Sequence, residues 1–258
     1  MVLGVLEVLE VLEIPYPAST MFTLTIDPPH SGLRNMEIDL ALLQDAEQQP
    51  EPSTFVRFYR WDVPTVSLGH YQRAEQAADL RYCEAHGIPV VRRPTGGRAV
   101  LHAAELTYTV VSSDPRFFPL HSLDLTYLTI AKALQGGLTR LGIASELAPG
   151  SRETGRVSAA GVKAPCFASA SRHELLVGGR KIAGSAQRRL KRSFLQHGSI
   201  PLDLDVPTMA GALGVSEQLI AGTTISVSEA AGRAVSFAEL ADALKEGFAE
   251  VFRAQAGE

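Results

Sequence analysis

Apolar positions recur along this chain at two different steps, and the changes of step divide it into elements. Residues 23–32, TLTIDPPHSG, read as a short strand and turn. After Asn35, a plausible N-cap, Met36, Leu40 and Leu43 fall at helical spacing. The stretch TFVRFYRWDVPTVSLGHYQ alternates as two strands broken at Pro64. In AEQAADLRYCEAHG, Ala77, Leu80 and Cys83 line one side of a helix closed by Gly87, which makes Cys83 a core position.

Residues 88–102, IPVVRRPTGGRAVLH, predict strand, glycine turn and strand, and ELTYTVVSS predicts another strand. Ser122 is placed to cap a long helix over LDLTYLTIAKALQGGLTRLGI. Small helices are expected around 206–221. Ser236 and Glu239 then form a capping box on a last helix, with Phe237, Leu240, Leu244, Phe248 and Val251 on one face. This order predicts an α+β domain with a mixed, largely antiparallel sheet flanked by helices.

With 258 residues, 45% of them hydrophobic and 20% charged, the chain is long enough for one sizeable core. We expect a single domain over residues 20–258, preceded by an extension over residues 1–19. That extension, MVLGVLEVLEVLEIP, has no basic n-region and carries Glu7, Glu10 and Glu13, unlike a signal peptide. A net charge of −4 argues against general nucleic-acid binding. Two cysteines and no CxxC or Cys/His cluster argue against a disulfide framework or a zinc site. A reducing cytoplasm and no membrane span are expected.

Candidate chemistry concentrates in three stretches. In PCFASASRHELLVGGRKIAGSAQRR, Gly178-Gly179 predicts a two-residue hairpin turn with Val177 opposite Arg180, Leu176 opposite Lys181 and Leu175 opposite Ile182. Lys181 then shares a polar face with Glu174, Ser185 and Gln187. It is either a surface charge paired with Glu174 or, beside Gly184 and Ser185, the floor of a cleft. Cys166 ends a run poor in apolar residues, SELAPGSRETGRVSAAGVKAP, and is either a buried filler or a reactive thiol. An isolated thiol is only about 3% thiolate at pH 7, and a nearby ammonium would raise that share.

The second stretch is RRPTGGRAVLH. Its glycines allow backbone amides to face a ligand, among Arg92, Arg93 and Arg98, but it matches neither GxxxxGK[ST] nor GxGxxG. The third is RRLKRSFLQHGSI, with Arg188, Arg189, Lys191 and Arg192 as either a charged strand edge or a docking patch for an acidic partner. His197 follows as a possible acid/base group.

Taken together, NMEIDLALL, RFYRWDVPTVSLGHYQ, VVRRPTGGRAVLH with ELTYTVV, and CFASASRHELLVGGRKIAGSAQRR with FLQHGSIPLD resemble the biotin/lipoate protein ligase superfamily. Within it they are most similar to cysteine-dependent octanoyltransferases of LipM type. The resemblance covers roughly residues 20–250 and implies the biotin/lipoate protein ligase catalytic-domain fold. It further implies transfer of octanoyl from octanoyl-acyl carrier protein to a lysine of a lipoyl-accepting protein, typically glycine cleavage H protein, with no cofactor or metal.

By position, Cys166 matches the acyl-accepting cysteine and Lys181 the lysine at the acyl carbonyl. Arg93, Thr95, Gly96, Gly97, Arg98, His102, Gly184 and Ser185 match the substrate-binding wall. Ala103 and Ala104 follow His102 where the family has an acidic residue, and Glu105 is the next carboxylate. The competing readings are an ATP-dependent lipoate–protein ligase, an octanoyl amidotransferase between lipoyl domains, and a non-catalytic carrier-binding protein. The GGR turn and the short remaining C-terminus disfavour the first.

Overall fold

The computed structural model describes residues 11–13, 22–148 and 174–256. Its strands are β1 (Val11–Glu13), β2 (Thr23–Ile26), β3 (Thr54–Tyr59), β4 (Thr65–Leu68), β5 (Val90–Arg92), β6 (Val100–His102), β7 (Glu105–Ser112), β8 (Glu146–Leu147), β9 (Leu175–Val177), β10 (Arg180–Arg189) and β11 (Phe194–Pro201). Its helices are α1 (Gly32–Gln48), α2 (Ala74–Ala77), α3 (Leu80–Ala85), α4 (Leu123–Arg140), α5 (Val206–Leu213), α6 (Glu217–Thr223), α7 (Val227–Ala231) and α8 (Phe237–Ala256).

The larger sheet runs β1-β2-β3-β7-β11-β10-β9-β8. Every neighbouring pair in it is antiparallel except β2–β3. A smaller sheet, β5-β4-β6, joins one parallel and one antiparallel pair. The glycine stretch is therefore not a simple hairpin: β5 and β6 lie on opposite sides of β4. The expected mixed, largely antiparallel architecture is what forms.

Alternation along β7 decides where the core and the site sit, because successive strand residues point to opposite faces. Leu106, Tyr108 and Val110 join the main core with Leu240, Leu244, Phe248 and Phe252 of α8 and Ile130, Leu134 and Leu138 of α4. The opposite face carries Glu105, Thr107 and Thr109, all buried, and Val111, which packs on Leu43 and Ala46 of α1. A strand buried on both faces, one of them polar, needs partners for every polar group. That face supplies them to the site below.

The helix ends follow local chemistry. Ser122 Oγ accepts from Leu125 N at 3.2 Å, and Ser236 Oγ accepts from Glu239 N at 3.2 Å, as their sequence positions predict. Helix α1 starts earlier than expected: Ser31 is its cap, and Asn35 lies inside it. The reason is long-range. Asn35 Oδ1 accepts from Arg57 Nη2 at 2.7 Å, while its amide donates to the carbonyls of His30 and Arg60.

The single helix expected over 74–87 is two short ones. Extended Ala78 separates them, and Asp79 Oδ1 caps the second by accepting from Arg81 N and Tyr82 N. Cys83 is buried as expected, and Gly87 closes the helix at φ 63°.

Candidate active site

One pocket opens between the two sheets, with about 430 Å³ of free space including its mouth. Ser67 of β4 with Val100 and His102 of β6 form one wall. Gly184, Ser185 and Ala186 of β10 face them, with His197, Gly198 and Ser199 of β11. Met36, Tyr59, Trp61, Arg93 and Thr107 complete the lining. The strand pairs Gly184↔Ser199, Ser185↔Gly198 and Ala186↔His197 explain why these two segments arrive together.

Gly198 is required here. A Cβ at that position would meet the Tyr108 ring and the Gly184 carbonyl. Its absence lets the Tyr108 hydroxyl reach Ser185 Oγ at 2.7 Å and accept from Gln196 Nε2 at 3.0 Å.

His102 lies flat on Trp61, ring centroids 4.0 Å apart. Its Nδ1 faces Glu105 Oε1 at 2.7 Å and its Nε2 faces Ser67 Oγ at 2.7 Å. The carboxylate that the sequence lacks directly after His102 is thus supplied three residues on. Thr107 Oγ1 and Ser199 Oγ each donate to Glu105 at 2.5 Å. Burial pushes the Glu105 carboxyl up, but His102 and these hydroxyls outweigh it and hold the group below its ordinary value.

A second histidine repeats the pattern. His197 Nε2 lies 2.6 Å from Thr95 Oγ1, and its Nδ1 lies 3.0 Å from Asp39 Oδ2. Burial lowers the His197 pKa. Asp39 opposes that without reversing it, so the neutral ring is favoured.

The glycine turn is held by Arg93. Its guanidinium donates to the Gly96 carbonyl, the Arg98 carbonyl and both the carbonyl and hydroxyl of Ser67, at 2.7–3.1 Å. Gly97 sits at φ 90°, and its carbonyl packs against Gly69. Of the wall residues singled out in the sequence, Arg93, His102, Gly184 and Ser185 line the pocket. Thr95 reaches it through His197, Gly96 accepts from Arg93, and Arg98 is exposed.

Lys181 departs from its surface reading. It is 2% exposed, and its Nζ lies 2.5 Å from Oε1 of Glu174, itself 7% exposed. The chain after α6 covers the strand here: Lys181 bridges Thr224, and Ile225 N donates to the Lys181 carbonyl at 3.0 Å. Val177–Arg180 and Leu176–Lys181 pair as the turn predicts, but Leu175 pairs with Ala183, not Ile182. The extra residue, a bulge, twists the strand and sends both Ile182 and Ala183 into the core. Burial of the Tyr108 hydroxyl and the nearby Glu174 charge raise its pKa, against its hydrogen bonds to Ser185 and Gln196, to about 12. Glu174 therefore adjoins the Tyr108–Ser185 side of the pocket.

Cys166 lies outside the described residues. The two ends of the segment that carries it are within them. Ala148 N donates to Glu174 O at 2.7 Å, and β8 pairs with β9 just beyond. The basic stretch is largely tied down: Arg188 donates to the Pro94 carbonyl, Arg189 to Leu120 and Thr126, and Arg192 to Pro50 and Glu47.

The model of the lipoyl protein ligase A/B catalytic domain matches residues 31–249. The chain belongs to that family. The lipoyl protein ligase A/B chain described here is 41% identical over 226 residues to the octanoyltransferase LipM of Symbiobacterium thermophilum, covering 84% of this chain and 81% of that one.

Protein Ta0514 of T. acidophilum with bound lipoic acid superimposes with a TM-score of 0.71 at 25% identity, covering 89% of this chain and 85% of that one. Lipoate-protein ligase A bound with ATP follows at 0.67 and 26%, covering 89% and 84%. The superfamily and fold expected of this lipoyl protein ligase A/B domain are both borne out. Among its described residues no helix is long and apolar enough to cross a membrane, and no His/Cys/Asp/Glu cluster is placed to hold a metal ion.

The sequence did not single out Trp61, Ser67 or Asp39. Their signal is faint: isolated polar or aromatic residues inside segments whose alternation already accounts for them.

Proposed function

We propose that the chain is an octanoyltransferase. It takes octanoyl from octanoyl-acyl carrier protein onto the Cys166 thiol and passes it to a lysine of a lipoyl-accepting protein such as glycine cleavage H protein, in lipoate biosynthesis. The observation that carries this reading is the buried Lys181–Glu174 ion pair, on the strand whose residues Gly184 and Ser185 line the pocket. Lys181 itself does not line the pocket, but a cation fixed on the strand whose next residues do suits an acyl carbonyl that becomes an oxyanion. The LipM relatives support octanoyl as the cargo. Ala148 N donates to Glu174 O, so the described residues on either side of the stretch that contains Cys166 lie beside the Lys181 hairpin.

In the first step the Cys166 thiolate attacks the donor thioester carbonyl, the carrier's C–S bond breaks and the carrier leaves as its thiol. In the second, a deprotonated acceptor amine attacks the Cys166 thioester, whose C–S bond breaks as the amide forms. Arg93, Thr95, Gly96, Gly97, Arg98, His102, Gly184 and Ser185 form and brace the acyl-binding wall. The free energy of one thioester passes to another and then to an amide, so neither ATP nor metal enters either step.

Intact-protein mass spectrometry after mixing with octanoyl-acyl carrier protein, without ATP, tests the reading. The native protein gains an octanoyl mass that Cys166→Ser does not. The likeness to lipoate-protein ligase A with ATP favours a second reading, ATP-dependent ligation. Absence of the adduct, with modification requiring ATP and free acid, would establish that reading instead. Octanoyl-H protein as sole donor separates an amidotransferase from both.

A further inference from the structure

We propose that Met36 sets the length of the acyl chain: its side chain, backed by Tyr59 and Trp61, closes the inner end of the pocket, so that eight carbons fit and ten do not. The proposal rests on the reading that this pocket holds the acyl group, and it names the residue that selects the substrate. The first observation is the direction of the pocket. Gly184 of β10 pairs with Ser199 of β11, Ser199 with Thr107 of β7, and Thr107 with Tyr59 of β3. Cross-strand partners stand on one face of a sheet, so these four residues, all lining the pocket, form a single row across the strands. Exposure falls along it, from half-buried Gly184 through Ser199 at 4% and Thr107 at 2% to Tyr59 at 0%. The pocket therefore opens at β10, beside the Lys181 hairpin, and ends blind at β3.

Side-chain size rises along the same row, from a hydrogen through two small hydroxylated groups to an aromatic ring. Strand spacings of about 4.8 Å place β3 about 14 Å from β10. Van der Waals contact with the wall over β3 takes up about 4 Å of that. The remaining length suits an extended eight-carbon chain, about 9 Å long with C–C bonds of about 1.5 Å.

The second observation is that the inner wall is apolar and held from behind. The hydroxyls of Ser199 and Thr107 donate to Glu105, Trp61 Nε1 donates to Thr107 Oγ1 at 2.8 Å, and the Tyr59 hydroxyl donates to Asp39. Each of these polar groups is bonded within the protein, which leaves carbon to meet a ligand. The Arg57 guanidinium covers the Tyr59 ring at 3.9 Å, and His102 stacks on Trp61. A Cβ on Gly32 of α1 would already lie 2.9 Å from Trp61 Cζ3, so that ring has no room to retreat.

The third observation is Met36 itself. It projects from α1 onto Tyr59 and Trp61, is buried, and lines the pocket. A thioether chain needs no hydrogen-bond partner, so shortening it lengthens the pocket and strands no polar group. Met36→Ala keeps only the Cβ and makes room for about two more methylenes of ligand.

The test is competition among acyl carrier proteins loaded with chains of six, eight, ten and twelve carbons, in equal amounts, with the mass of modified glycine cleavage H protein read at early times. The ratio of products does not depend on the folded fraction, so a variant that is merely less stable leaves it unchanged. The native protein transfers octanoyl ahead of decanoyl. In Met36→Ala the decanoyl-to-octanoyl ratio rises about tenfold, the gain from burying two more methylenes. Met36→Val, which shortens the chain less, moves the ratio in the same direction by less, and it decides alone should the alanine variant not fold. An unmoved ratio in the folded variants overturns the proposal.

Calorimetric binding of the free acids, hexanoic to dodecanoic, separates this from the underlying reading. If the native protein transfers no acyl group, yet its tightest acid lengthens from octanoic to decanoic in Met36→Ala, the donor reading falls and the role of Met36 stands. If octanoyl transfer proceeds while neither the product ratio nor the tightest acid changes, only the role of Met36 falls. If there is neither transfer nor binding, both fall.

Discussion

Asp39 Oδ2 lies 3.0 Å from His197 Nδ1, joining helix α1 to strand β11 beneath the pocket. The same carboxylate accepts from Arg57 Nη1 at 2.9 Å, from the Tyr59 hydroxyl at 3.1 Å and from Thr109 Oγ1 at 3.0 Å. It is fully buried, and Arg57 is 1% exposed. Arg57 also donates from Nε to Asp27 Oδ2 at 2.5 Å, so losing Asp39 leaves it one carboxylate of two. Asp39→Asn removes the charged acceptor of several buried hydrogen bonds, each contributing about 1.5–3 kcal/mol, and should lose about 3 kcal/mol in urea unfolding. An unfolding midpoint equal to the native one would show that Asp27 alone suffices for Arg57.

Acid stability follows from three groups with shifts of known direction. Burial lowers the His197 pKa. Asp39 and Glu105 are held below their ordinary values, because hydrogen bonds and nearby cations outweigh the opposing effect of burial. In each case the unfolded chain binds the proton more readily than the folded one, so stability rises with pH. The His197 contribution is complete above its unfolded value of about 6.5 and is lost as pH falls through the lower folded value. The carboxylate contributions are complete above about pH 4 and are lost below it. The melting temperature should hold from pH 8 to about 6.5, begin to fall below that, and fall steeply under about pH 4. In His197→Asn the upper part of the decline should vanish while the lower part stays.

How far this was legible in the sequence depended on the range of the force involved. The caps of α4 and α8 and the core face of α8 are local, and Ser122, Ser236 and Leu240 declared them. The first two pairs of the β9–β10 hairpin were equally local, fixed by Gly178-Gly179. The bulge one residue later was not, since the burial of Ile182 and Ala183 against distant helices decides it. Of the two readings the sequence allowed for Lys181, the surface one fails because Thr224 and Ile225, distant in the chain, cover its strand. Asn35 seemed a cap because its partner, Arg57, lies on a strand more than twenty residues away. Glu105 was a marginal candidate until strand geometry set its carboxylate against the His102 ring.

Helices α4 and α8 cross with almost no space between their backbones. A Cβ on Gly247 would run into the Ala133 carbonyl, and one on Gly137 would lie 2.7 Å from Leu244 Cδ2. Both obstacles belong to a closely packed interface, so neither side chain can be absorbed by a small rotation. Gly247→Ala should cost about 1–3 kcal/mol in chemical denaturation, through overpacking. The interface lies across the main sheet from the pocket, so octanoyl transfer by the folded variant should stay within about twofold of native. A large loss of rate at unchanged stability would mean that the helix pair communicates with the site.

Arg93 makes the sharpest demand on side-chain shape. Its guanidinium spans the Gly96 and Arg98 carbonyls and Ser67 at once, which fixes the glycine turn against β4. A lysine keeps the charge but offers a single ammonium on a flexible stem, which cannot reproduce that fork. Hydrogen bonds from a charged donor contribute about 1.5–3 kcal/mol each, and at least one must be lost. Arg93→Lys should therefore unfold about 2–3 kcal/mol more easily. If the pocket holds the acyl group as proposed, the loosened turn should also slow octanoyl transfer about tenfold, because displaced walls misplace that group. Measured side by side, the two losses identify the fork as the cause. Native stability with a slow rate would instead assign Arg93 to direct contact with the donor, since it also lines the pocket.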